Sequence, residues 1–371
     1  MHPNRIVVLG GYGQAGRSVV RAVLERTDAS VVIAGRSLEK AQGLANRLRE
    51  TGAGERVGAC RADAASPSSL GDAFQAADLV IVTSTTARHT AGVVRACLDN
   101  RCDYFDILDA PDVVETVNRF GQEAEGAGRL LVTQGGLAPG MVATVVRFAR
   151  GSCDRLRGAR VGIALSLKTA ERFEQVYDAF DFIVKSRPMV FEQGAWRKRS
   201  IRDTVTMNFG DRFGTRKAFS IDMPELYALP EQLGLEELSL WGASPNWMVD
   251  YVVKRLIVGL YKIRPRLGWP TLGRLIFWLS KRMAHEPSGC SIALEAWGER
   301  EGRLRRLRLV IEHEDNYHAT GAAVAAFLRQ YGSGSFQGIG GVRMMGHLIE
   351  PEPSLRVLRE LGVTVREQPD A

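Results

Sequence analysis

The stretch Gly11-Tyr12-Gly13-Gln14-Ala15-Gly16 constrains this chain more than any other, because it fits G-x-G-x-x-G at the junction of a strand-like run, Arg5 to Leu9, and a helix-like run, Gln14 to Arg26. In that setting each glycine has a physical task. Gly11 permits the tight turn, Gly13 removes a side chain where a pyrophosphate approaches the backbone, and Gly16 lets helix and strand pack closely. The helix N-terminus then presents its N–H groups and positive dipole end to the phosphates. A loop of this kind belongs to a parallel sheet, and the following sequence agrees. Strand-like runs Ser30 to Ala34, Arg56 to Arg61, Leu79 to Thr83, Tyr104 to Ile107 and Leu130 to Thr133 alternate with helix-like runs Leu38 to Arg49, Ser68 to Ala76 and Ala91 to Asp99. In the first helix, Ala15, Val19, Ala22 and Val23 fall on one apolar face. The expected fold class is α/β, with a doubly wound Rossmann dinucleotide-binding domain over residues 1–140.

After Gly140 the period changes. Val161, Ile163, Leu165 and Leu167 alternate strictly, as do Val205, Met207 and Phe209, then Phe219, Ile221 and Met223, then Leu307, Leu309 and Ile311. Period-two alternation predicts a largely antiparallel sheet with one wet face. A second α+β domain, serving substrate binding or dimerisation, is therefore expected over residues 141–317. A helix from about Gly321 to Gln330 follows it, and another, Ser354 to Leu361, is expected to close the chain.

Arg36 stands twenty residues after Gly16, where NAD-type sites place an acidic residue on the ribose 2′-hydroxyl and where an arginine can instead take a 2′-phosphate. The guanidinium fork suits a phosphate. The expected cofactor is therefore NADP(H), with Ser37 adding a hydroxyl and Asp63, just past the third strand, on the adenine side.

With 371 residues the chain is long enough for two cores, and its five cysteines, Cys60, Cys97, Cys102, Cys153 and Cys290, form no C-x-x-C or metal-ligand spacing. Reduced thiols and a cytoplasmic location are expected, since the N-terminus runs directly into a strand without the regions of a signal peptide. The net charge of +7 has a location: Tyr251 to His285 carries eight basic residues, from Lys254 to Arg282, and no acidic one. That basic, apolar insert, 247–283, is divided by Pro265 and Pro270 and is too interrupted to span a bilayer. It is suited to a homodimer interface, a peripheral membrane surface or an acyl-carrier contact. No recognition motif for nucleic acid accompanies the charge.

The segments GGYGQAGR, VVIAGRSLEKAQGLA, CDYFDI and GGLAPGM together resemble the saccharopine dehydrogenase-like oxidoreductases, and DNYHATGAAVAAFL with GVRMMGHLIEPEPSLRVLRELGV extends the resemblance towards the C-terminus. The resemblance implies an NADP-binding Rossmann domain, a second α+β domain and a C-terminal segment, 318–371, that returns towards the first. It also implies that the glycine loop, Arg36 and Asp63 contact the cofactor, that Ser84 and Thr85 lie near the nicotinamide ribose, and that Pro139 and Gly140 line the nicotinamide side. The family's amino-acid branch passes between a secondary amine and an imine.

Hydride chemistry draws its electrons from the cofactor and leaves one proton for the protein to manage. The candidate proton donors are Tyr104 and Asp106, at the carboxyl end of a strand, and His89; each also has an ordinary structural role available. Lys168 and Arg172 are the candidate cations for a substrate carboxylate. No tyrosine has a lysine four residues later, and no G-x-S-x-G elbow is present. Glu312, His313, Glu314, Asp315 and His318 lack the spacing of a metal site. The leading expectation is NADPH-dependent reduction of a C=N bond. The alternatives are reduction of a C=C bond in a hydrophobic or carrier-bound substrate, and a non-catalytic NADP-binding scaffold.

Overall fold

The computed structural model describes residues 3–166, 188–200, 203–243, 278 and 287–369. The chain divides into two compact units, Met1–Thr144 with Tyr317–Leu361, and Val145–Asn316 with Gly362–Ala371. Lys168, Arg172 and nearly all of the basic insert 247–283 lie outside the described residues.

In the first unit, β1 (Arg5–Leu9), β2 (Ser30–Gly35), β3 (Val57–Arg61), β4 (Leu79–Val82), β5 (Asp103–Asp106) and β6 (Leu130–Thr133) form a sheet with a seventh strand, Gly341–Met344. The order is Gly341–Met344, β6, β5, β4, β1, β2, β3, and every pairing is parallel. The strands are apolar end to end because both faces are covered: Ile6, Val7 and Val8 are all 0% exposed, as are Leu79, Val80 and Ile81. Helices α1 (Gln14–Arg26), α2 (Leu38–Leu48), α3 (Pro67–Phe74), α4 (Thr90–Asp99), α5 (Pro111–Asn118) and α6 (Gly121–Gly126) connect them. The buried face of α1 comprises Gly16, Val19, Val20, Ala22 and Val23. Strand order reverses at β1, whose neighbours are β2 and β4, and ligands of such sheets sit beyond the strand ends at that point.

The segment Tyr317–Leu361 is held to this unit by small side chains. In the helix Asn316–Gly332 residues Ala322, Ala323, Ala325 and Ala326 are buried, and Gly321 lies so near α1 that a Cβ there would come within 2.9 Å of the Ser18 carbonyl. Phe327 meets Phe105 of β5 with ring centroids 4.5 Å apart.

The second unit carries nine strands: β7 (Arg155–Leu165), β8 (Met189–Glu192), β9 (Ala195–Lys198), β10 (Thr204–Asn208), β11 (Thr215–Ser220), β12 (Glu237–Ala243), β13 (Cys290–Arg300), β14 (Arg303–His313) and, after β15, the strand Gly341–Met344 of the first unit, β16 (Thr364–Pro369). Their order is β10, β11, β12, β7, β13, β14, β16, with β8 on β12 and β9 on β8. All pairs are antiparallel except β7 with β12. Two expectations need correction. The sheet is not wet on one face throughout, since Ile292, Ala293 and Leu294 are consecutive and at most 1% exposed. Phe209, Phe213 and Met207 cover small residues there, among them Ala164, Ala218 and Ala293, and a Cβ on Gly162 would meet the Phe209 ring at 2.7 Å. Nor does the whole of 318–371 join the first unit. Residues from Gly362 onward belong to the second, where β16 pairs with β14 from Thr364 opposite Glu312 to Pro369 opposite Leu307. Backbone pairing, not an apolar pattern, holds that polar strand. Among the described residues no helix is long and apolar enough to cross a membrane.

Candidate functional site: a dinucleotide cleft on the parallel sheet

The glycine loop is set by close approaches at the end of β1. The Gly10 N–H donates to Ala34 O at 2.8 Å, and the Gly13 N–H turns back to Gly10 O at 2.8 Å. A Cβ on Gly16 would lie 2.2 Å from the Gly10 carbonyl oxygen and 2.7 Å from Gly11 Cα, so only glycine lets α1 start against the loop. The N-cap of α1 is Gly13, which has no side chain to cap it, and no acidic residue sits in the first turn to offset the positive end of the helix. The loop therefore has the form of a phosphate cradle.

At the end of β2, Arg36 is exposed and has no hydrogen bond or ion pair among the described residues. Ser37 has a defined local task as N-cap of α2, its Oγ accepting the Lys40 N–H at 3.3 Å. Tyr12 spans the gap between the glycine loop and this turn, its hydroxyl accepting the Ser37 N–H at 3.2 Å. Arg17, which the motif reading left out, anchors Tyr12 by donating from Nε to its carbonyl at 3.0 Å. Asp63 is half-buried and builds its own turn, with Oδ1 accepting the Ala65 N–H at 3.1 Å.

Past β4, Ser84 lies against the loop, and a Cβ on Gly10 would come within 2.7 Å of its Cβ. Its Oγ is buried and unpartnered among the described residues. Buried hydroxyls without partners are uncommon and mark places where a ligand or water completes the bonding. Thr85 and His89 are exposed, His89 immediately preceding α4.

Beyond β5 and β6 the chain is closed. Tyr104 is 1% and Asp106 0% exposed, and the Tyr104 hydroxyl donates to Asp106 Oδ2 at 2.8 Å. Asp106 Oδ1 accepts the Leu108 N–H at 3.0 Å and the Gln134 N–H at 3.3 Å, while its carbonyl takes the Gly135 N–H at 2.7 Å. One carboxylate thus ties the exit of β5 to the exit of β6. Burial pushes its pKa up to about 6, against the opposing pull of its hydrogen bonds. Burial, with the neighbouring Asp106, drives the Tyr104 hydroxyl well above its ordinary value. Gln134 is also 0% exposed, and both polar atoms of its amide are unpartnered among the described residues. Sequence reasoning passed over Gln134; the available signal was a polar residue between the apolar β6 and Gly135-Gly136. The loop ends with a cis Ala138–Pro139 bond and Gly140 at φ +115°, whose absent Cβ would meet Gly136 O at 2.6 Å.

The histidines of the acidic run have local tasks: His313 Nδ1 accepts the Asp315 N–H at 3.0 Å, and His318 Nε2 lies 2.7 Å from Leu361 O. The structure brings together Tyr12, Arg36 and Ser37, and separately Tyr104 and Asp106.

Residues 6–132 match the model of the saccharopine dehydrogenase NADP binding domain family. The fold of the chain is similar to apo saccharopine dehydrogenase (L-Glu forming) from Saccharomyces cerevisiae, with 14% identity, TM-score 0.69, and 99% of this chain and 100% of that one covered. DAP dehydrogenase from C. glutamicum in complex with DAP aligns at 13% identity and TM-score 0.47, over 97% of this chain and 99% of that one. An engineered D-amino acid dehydrogenase bound to NADP+ aligns at 13% identity and TM-score 0.48, over 96% and 98%. No curated protein sequence matches the chain.

Proposed function

We propose that the protein is an NADP-linked oxidoreductase of saccharopine dehydrogenase type, on the strength of the domain match over residues 6–132 and the likeness of fold, and that it reduces a C=N bond of an amino-acid-like or biosynthetic intermediate. The observation that carries the cofactor half of this reading is Arg36, exposed and without a partner among the described residues, one strand away from a glycine loop whose N-cap residue has no capping side chain. The residues present fit the cofactor: the loop Gly11–Gly16 and the start of α1 suit the pyrophosphate, Arg36 the 2′-phosphate, and the unpartnered Ser84 Oγ with Thr85 the nicotinamide ribose. Asp63 is assigned to the adenine side, and Pro139 and Gly140 to the nicotinamide side. NADPH held there would supply the hydride for the imine carbon.

The nitrogen then takes one proton. Tyr104 and Asp106 are fully enclosed and bonded to each other, so their assigned role is to hold the loop Gln134–Gly140 in place, and His89 is the exposed candidate for proton transfer. Likeness to saccharopine dehydrogenase over both units supports C=N chemistry above other hydride acceptors. Lys168 and Arg172 remain the proposed partners of a substrate carboxylate.

The test is NADPH oxidation, followed by its absorbance, with mixtures of primary amines and 2-keto acids that form imines. Turnover with at least one pair is expected, and His89→Ala is expected to lower it. NADPH that binds but is never consumed across such mixtures would overturn the reaction assignment. Arg36→Asp tests the carrier separately, and should shift preference to NADH by about 10- to 100-fold.

A further inference from the structure

The residue between the first two motif glycines is usually counted as filler, yet here it is fixed at three points. The Tyr12 carbonyl is held by Arg17 Nε at 3.0 Å, and its hydroxyl receives the Ser37 N–H at 3.2 Å. Its ring covers Gly35 so closely that a Cβ there would come within 2.5 Å of Cε1 and 3.0 Å of the hydroxyl oxygen. Gly35 and Ser37 are the two neighbours of Arg36. Tyr12 is therefore braced against both sides of the residue assigned to the 2′-phosphate.

A phenol hydroxyl carries one proton and can accept as well. Accepting from the Ser37 N–H leaves that proton available, and among the described residues it meets no acceptor. We infer that Tyr12 is a specificity-determining residue, its oriented hydroxyl donating to the 2′-phosphate of NADP alongside Arg36. The inference rests on the NADP reading above and deepens it. The chemistry discriminates because a phosphate dianion gains a charge-assisted hydrogen bond from a fixed donor, whereas the neutral 2′-hydroxyl of NAD gains much less. Arg36 is a flexible, exposed cation, while Tyr12 is a rigid neutral donor with a direction. Together they combine charge with geometry.

The experiment compares wild type with Tyr12→Phe, measuring Kd for NADPH and NADH by nicotinamide fluorescence, and for 2′,5′-ADP and 5′-ADP by calorimetry. Phenylalanine keeps the ring on Gly35 and removes only the hydroxyl. NADPH and 2′,5′-ADP should each weaken by about tenfold, with NADH and 5′-ADP within about twofold of wild type. Equal loss for both nucleotides would reveal a purely structural tyrosine and overturn the inference. An unchanged or enlarged NADPH preference would overturn it too, the latter by showing that the hydroxyl occupies the phosphate's place. A wild-type chain that binds NADH as tightly as NADPH would overturn the cofactor reading and the inference together.

Discussion

Beyond β1, β2 and β4 the chain leaves polar groups open: the uncapped start of α1, the exposed Arg36 and the Ser84 Oγ, which has no partner among the described residues. Beyond β5 and β6 it does the reverse, and Tyr104, Asp106, Leu108 and Gln134 are drawn into one enclosed network around a single carboxylate. Both regions lie at carboxyl ends of strands in the same sheet, where position alone marks every residue as a site candidate. Burial and hydrogen bonding separate them. A group whose bonding is completed within the chain holds geometry, and a group whose bonding is left incomplete is available to a ligand. The Gln134 amide is the exception, enclosed yet unpartnered among the described residues.

The largest effect expected from this contrast is on stability. Asp106→Leu leaves the Tyr104 hydroxyl and the Leu108 and Gln134 N–H groups without their acceptor in a dry site, and should cost about 3–5 kcal/mol in urea unfolding. A loss below about 1 kcal/mol would mean that water replaces the carboxylate, and the closed region would then be closed in name only.

The same network has a pH signature of nearly equal size. The Asp106 carboxyl titrates near 4 in the unfolded chain and at about 6 in the fold, where burial disfavours its charge. Between those values the folded chain retains a proton that the unfolded chain has released. Stability from this group therefore falls as pH rises from about 4 to about 6, by about 3 kcal/mol, and is level above. Asp106→Asn removes the slope, so the stability difference between wild type and this variant should shrink or reverse towards neutral pH. A difference that stays constant from pH 4 to 7 would show that the carboxyl does not titrate in this window.

On the open side the largest effect falls on binding. Gly16→Ala places a methyl group 2.2 Å from the Gly10 carbonyl oxygen, and a Cβ fixed to the helix cannot pass that backbone oxygen without opening the loop. Dinucleotide affinity should drop by about 100-fold, equivalent to about 2.7 kcal/mol. Affinity within threefold of wild type would remove the loop as the pyrophosphate cradle.

These contrasts also explain what could be read from the sequence. The β1 to β2 region is legible because its constraints are local: apolar runs set the strands, the glycine spacing sets the loop, and Arg36 follows at a fixed distance. Asp106 was visible as a strand-end carboxylate, but its enclosure was not, because that depends on Tyr104 and on loops reaching it from β6. Helices α5 and α6 went unread in the interval between Ile107 and Leu130, where Pro111 opens the first and Gly121 and Gly126 bracket the second. The polar strand β16 had no apolar alternation to reveal it, since its register comes from β14. In the second unit, the cover over Ala164 and Ala293 comes from Phe209 and Phe213, residues far away in sequence, so alternation alone could not show which face stays dry.

The smallest effect concerns Ser37, which stands at the boundary between open and closed. Read from sequence, its hydroxyl was a cofactor contact; in the fold it caps α2 through the Lys40 N–H at 3.3 Å. Ser37→Ala should therefore cost about 1 kcal/mol of stability, and Ser37→Gly only a few tenths, because glycine is tolerated at an N-cap. If capping is its whole task, both variants keep the NADPH to NADH affinity ratio of wild type. If the hydroxyl also donates to the 2′-phosphate, the ratio falls equally in both, while stability still separates them. The pair of measurements thus distinguishes a residue engaged within the chain from one shared with its ligand.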